Sequence, residues 1–130
     1  VKKTMYWSAK VDPSIDLSSN QIISVIIEFK TKPARIAVLV AKANGITLTL
    51  EEAKRQVEQS HHTFRKLLTL LDENNVPYRI KYTYKTAFNG VTIELPANEI
   101  KRLTASPVIS KIYLDKQIQL EPPVQPRDQM

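Results

Sequence analysis

The chain has 130 residues, a length that fits one domain, and 42% of them are hydrophobic, enough for a core. It has no cysteine, which excludes disulfides, thiol chemistry and thiolate metal ligands, and its two glycines exclude a glycine-rich phosphate loop. A net charge of +6 permits an acidic partner without naming one.

Residues 1–20 show no sustained period. Asp12, Pro13, Ser14, Asp16, Ser18, Ser19 and Asn20 read as loop, so this stretch is expected to be an N-terminal arm leading into a domain over 21–120. No apolar run approaches the ~20 residues of a membrane span. The opening VKKTMYWSAK lacks the long apolar stretch of a signal peptide. QIISVIIEFK (21–30) is rich in β-branched residues and predicts a strand buried on both faces.

The character then changes. In TKPARIAVLVAKANG (31–45), Pro33 suits a first helical turn and Asn44-Gly45 a helix end. The residues between, Ile36 to Ala41, are apolar around much of a helix, so the helix should be well covered; a strand is the competing reading. TLEE (49–52) has capping-box spacing, with Thr49 and Glu52 able to satisfy each other's amides. Leu50, Ala53, Val57, Phe64, Leu67, Leu68 and Leu71 follow as one stripe with a single long step after Val57, and DENN with Pro77 ends the helix.

YRIKYTYKT (78–86) alternates Tyr78, Ile80, Tyr82 and Tyr84 against Arg79, Lys81, Thr83 and Lys85, a strand with two different faces. FNGVTIEL (88–95) sets Val91, Ile93 and Leu95 against Thr92 and Glu94. A tight connection is expected between them, with Asn89-Gly90 supplying positive φ or a bulge. Pro96 opens a short helix with Ile100 and Leu103 inward, Ser106-Pro107 breaks it, and 108–120 reads as the last strand. The tail EPPVQPRDQM (121–130) should be extended.

This order predicts an α+β fold. It is a ferredoxin-like βαββαβ antiparallel sheet with two helices on one face, plus an extra short helix after the first strand. The capped helix and the added helix supply enough burial to predict a domain that folds alone. The second sheet face is left open, and such a face either binds something or stays polar.

No active site emerges. His61 and His62 are adjacent on a helix and project about 100° apart, so they cannot grip one metal, and both are expected at the helix surface or edge. Glu58 and His62 share a helix face but make only two ligands, and nothing builds a triad around Ser60 and His61. The residues point to a non-catalytic interaction domain without cofactor or metal. One alternative is RNA binding through Tyr82, Tyr84 and Phe88 beside Arg79, Lys81 and Lys85. Against it, Val91, Thr92 and Ile93 stand where stacking rings are wanted. A regulatory ligand-binding module of the same fold is another alternative, and no ligand motif supports it.

At SHHTFRKLL, YRIKYTYKTAFNGVTIELPANEIKRL and SPVISKIYLDKQIQL the chain resembles the inhibitor I9 family, the N-terminal propeptides of subtilisin-like serine proteases. The resemblance covers about residues 22–120 and is nearest to propeptides of large minor extracellular subtilases of Gram-positive bacteria. It implies a secreted precursor in which this domain assists folding of the catalytic domain and then inhibits it until removed. The partner is a subtilisin-like serine protease catalytic domain, in cis or in trans. No nucleic acid, no membrane and a monomeric isolated domain are expected.

The resemblance also implies that the open sheet face packs on two protease helices and that propeptide carboxylates cap their N-termini. Asp115 matches one capping acid. Tyr113 stands where the family has the other, with Glu94 as a substitute. The tail, ending in Gln129 and Met130, would lie in the substrate groove, with Met130 in the first specificity pocket.

Overall fold

A computed structural model describes residues 10–116. Strand β1 (Ile22–Phe29) leads into helix α1 (Ala34–Ala43) and the long helix α2 (Leu50–Glu73). Strands β2 (Arg79–Tyr84) and β3 (Gly90–Pro96) follow, then a 3-10 turn (Ala97–Glu99), helix α3 (Ile100–Thr104) and strand β4 (Ile109–Leu114). The strands form one antiparallel sheet in the order β2-β3-β1-β4, the ferredoxin-like arrangement. Phe64, Leu68 and Leu71 of α2 and Ile100 and Leu103 of α3 meet Val25, Ile27, Val91, Ile93, Leu95 and Ile112 of the sheet. Residues 117–120 of the expected last strand, and the tail with Gln129 and Met130, lie outside the described residues.

Local chemistry sets the ends of α2. Thr49 Oγ1 accepts from the Glu52 amide at 3.1 Å, and Glu52 Oε1 accepts from the Thr49 amide at 3.1 Å, closing the capping box. At the far end Asn75 takes a left-handed φ of 55°, which lets the Val76 amide return to the Leu71 carbonyl at 2.9 Å.

Four readings change in the folded chain. β1 is not buried on both faces: Val25, Ile27 and Phe29 enter the core, while Ile22 is 59% exposed and Ile26 and Glu28 are partly so, because helices cover only one side. α1 is not well covered. It rests on α2 rather than between layers, so only Ala41 is buried, and Ile36, Leu39 and Val40 are 43%, 67% and 41% exposed. Nor do Tyr78, Ile80, Tyr82 and Tyr84 share one face: Tyr78 and Ile80 pack against the core, while Tyr82 and Tyr84 lie on the opposite side. A bulge at Lys81 shifts the register between Ile80, which pairs with Ile93, and Tyr82, which pairs with Thr92. Finally, residues 85–89 join β2 to β3 in place of a tight turn, and Gly90 has no positive φ.

Residues 10–20 lack regular structure but are packed. Val11 and Ile15 are buried in the core, and Val11 forms a parallel bridge with Ile112 on the outer edge of β4.

His61 corrects the expectation of a surface histidine: it is 2% exposed, whereas His62 is exposed. With Ser60 it fills the long step in the α2 stripe. Its Nε2 lies 2.8 Å from Asn89 Oδ1 and 3.1 Å from the Tyr84 carbonyl. Both partners are acceptors, so Nε2 carries a proton. Asn89 Nδ2 donates to the Thr31 carbonyl at 2.8 Å and to Ser60 Oγ at 3.0 Å. The imidazole sits edge-on to Phe29, with ring centroids 4.9 Å apart.

Burial lowers the His61 pKa from its ordinary 6.5; the bonds to Asn89 and Tyr84 and the charge of Glu58 oppose this, and Lys85 adds to it. The folded state therefore binds fewer protons than the unfolded state as pH falls below about 6.5. Stability is expected to be full above that value and to decline from pH 7 to pH 5. Urea midpoints at the two values check this, and a midpoint that is flat or higher at pH 5 contradicts it.

Candidate partner-binding face

The sheet register lays the uncovered face out in transverse rows. Arg79, Glu94 and Ser24 are consecutive partners across β2, β3 and β1. The row ends at Asp115, whose amide donates to the Ser24 carbonyl at 3.0 Å and whose Oδ2 accepts from Ser24 Oγ at 3.1 Å. The next row is Tyr82, Thr92, Ile26 and Tyr113, and a third is Tyr84, Gly90, Glu28 and Lys111. On β1, β3 and β4 these residues alternate with core residues, and Tyr82 and Tyr84 pair with two of them, so the rows lie on the side away from the helices.

The middle row is the apolar one. Tyr82 is 59% exposed, and Ile26 and Tyr113 are accessible beside it. Thr92 lies buried beneath Tyr84, whose hydroxyl is 2.8 Å from Thr92 Oγ1. Three carboxylates flank this row: Glu28, Glu94 and Asp115. Glu94 is engaged by Arg79 at 3.1 Å and by Lys81 at 3.8 Å. Tyr113 donates its hydroxyl to Glu28 Oε1 at 3.1 Å, and burial, then that bond and the Glu28 charge, raise the phenol's pKa. Asp115 is 9% exposed and already hydrogen bonded at the edge of the face.

The structure thus gathers Asp115, Tyr113 and Glu94 on one surface, with Asp115 and Glu94 on either side of Ser24. It adds Ser24, Ile26 and Glu28, which the sequence reading missed. The signal was there in IISVIIEF, where Ser24 and Glu28 alternate with Val25, Ile27 and Phe29, but the run of isoleucines hid it. The face presents an apolar band with hydrogen-bond acceptors at its margins.

Among the aromatic residues proposed for base stacking, Tyr84 is tied to Thr92 and stands edge-on to Phe88, with centroids 5.5 Å apart. Only Tyr82 offers a broadly accessible ring.

A search of curated proteins returns no match. The family model for Peptidase inhibitor I9 matches residues 24–121, from within β1 to beyond Asp115. The matched span holds all of the helices and most of the sheet, so the chain belongs to the peptidase inhibitor I9 family, that of the subtilisin propeptides.

Proposed function

We propose that this domain is the propeptide of a secreted subtilisin-like serine protease, assisting the folding of the catalytic domain in cis and inhibiting it in cis or in trans. The observation that carries this reading is the open sheet face, with its apolar middle row between carboxylates. Helix N-termini carry unpaired amides and the positive end of the helix dipole, so they favour an anion. Asp115, at the margin of the face, is the acid for one such helix. Glu94 lies across Ser24 from it and serves the second in place of Tyr113, whose hydroxyl is committed to Glu28. Nucleic acid fits this surface poorly, because Tyr82 is the one broadly accessible ring among the candidate stacking residues, and Glu28, Glu94 and Asp115 offset the charges of Arg79, Lys81 and Lys111.

Asp115→Ala is expected to weaken binding to the protease by about 1 kcal/mol, the scale of an anion at a helix terminus. Unchanged affinity in a folded variant would remove Asp115 from the docking role. The function is tested by mixing the chain with a panel of purified subtilisin-like proteases. Slow-onset loss of peptide hydrolysis at one-to-one stoichiometry is expected. Undiminished hydrolysis across the panel, with no faster refolding of any denatured catalytic domain, would overturn the reading.

A further inference from the structure

Residues 10–17 precede the span matched by the family model, yet they complete the strand that carries Tyr113 and leads to Asp115. We propose that this segment is a strap that positions the end of β4 for docking, with Asp12 as its positioning residue. The proposal rests on reading the open face as the protease-binding surface.

The Ile112 amide donates to the Lys10 carbonyl at 2.7 Å, and the Asp12 amide donates to the Ile112 carbonyl at 2.9 Å. Two residues further along β4 the Asp12 side chain takes over: its Oδ2 accepts from the Leu114 amide at 3.2 Å. The backbone cannot make that bond, because it has turned away. Asp12 Oδ1 accepts from the Ser14 amide at 3.0 Å and from Ser14 Oγ at 2.8 Å, and the Ile15 amide returns to the Asp12 carbonyl at 3.0 Å. The Ser14 amide first, then the Ser14 hydroxyl and the Leu114 amide, hold the Asp12 carboxyl below its ordinary range, so it is an anion at neutral pH and its bonds are charge-assisted.

The strap is anchored at both ends. Val11 and Ile15 are buried in the core, and Lys10 Nζ donates to the Thr104 carbonyl at 3.1 Å and the Ser106 carbonyl at 3.4 Å. The end of β4 is therefore gripped from two sides, with Leu114 held by Asp12 and Asp115 held by Ser24. Without Asp12 the Leu114 amide loses its partner on the outer edge and the strand end frays. Asp115, the next residue, then samples positions outside the docking geometry.

Asp12→Ala, Asp12→Asn, Asp115→Ala and the Asp12→Ala/Asp115→Ala double variant of the full chain test this. Asp12→Ala is expected to speed hydrogen exchange at the Leu114 amide by about tenfold. Inhibition of a purified subtilisin-like protease should weaken about fivefold, but less than about twofold when Asp115 is already alanine. Asp12→Asn, which keeps an acceptor, should fall between. Unchanged Leu114 exchange overturns the strap. Equal loss of inhibition with and without Asp115 overturns the positioning role. If the unaltered chain inhibits no subtilisin-like protease, the docking reading itself has failed and the positioning role falls with it, while Leu114 exchange still decides whether Asp12 holds the strand end.

Discussion

Gly90→Ala is expected to destabilise the domain by about 3 kcal/mol, the upper range for forcing atoms into a packed interior. A methyl group on Gly90 collides with the carbonyl oxygen of Ile27 and reaches to 2.9 Å from Phe88 Cε2. Ile27 is fully buried in the central strand, between β3 and β4, so its backbone cannot retreat without parting the sheet. Gly45 is required for another reason. It has open space around it but a φ of 73° at the end of α1, where an added side chain is strained. Chemical denaturation of Gly90→Ala measures the effect, and a loss under about 1 kcal/mol would show that the strands part easily.

Asn89→Ala should cost a similar amount, about 3 kcal/mol, because it strips partners from several buried groups at once. The Thr31 carbonyl loses its donor, Ser60 Oγ loses its donor, and His61 Nε2 keeps only the Tyr84 carbonyl. Thr31 belongs to the β1–α1 connection and Ser60 and His61 to α2, so one side chain ties the β2–β3 connection to two other parts of the fold. The Asn89 carbonyl also accepts from the Phe29 amide at 2.9 Å, but that backbone bond does not depend on the side chain. Equilibrium unfolding in urea measures the change, and a midpoint within error of the parent would mean that water replaces Asn89 at no cost.

What was legible in the sequence was what local chemistry decides. The Thr49–Glu52 capping box lies within one turn, and the alternation of Val91, Ile93 and Leu95 needs only the pleat of one strand. Family resemblance singles out Asp115, and its bonds to Ser24 put it at the edge of the open face. The illegible features depend on residues far apart in the chain. His61 is buried because Asn89, beyond β2, completes its hydrogen bonds. Which side of β1 is covered depends on helices formed much later. The bulge at Lys81 arises from pairing with β3, where Glu94 accepts from Arg79 and lies near Lys81. The packing of residues 10–15 beside β4 joins backbone bonds that any sequence can make to one side-chain bond from Asp12, and only Val11 and Ile15, apolar among polar neighbours, hinted at it.

The proposed docking surface for the protease is the open sheet face, not the helical side. It is tested most directly by placing one charge on each side. Ile26 stands in the middle row of the open face, and Leu39 is an exposed apolar residue of α1. Inhibition constants for Ile26→Arg and Leu39→Arg are measured against a subtilisin-like protease that the parent inhibits, with circular dichroism confirming both folds. Ile26→Arg is expected to weaken inhibition at least about tenfold, since it buries an unpaired charge at the centre of the contact, and Leu39→Arg less than about twofold. Strong loss from Leu39→Arg with Ile26→Arg unaffected would place the docking surface on α1 and contradict the account.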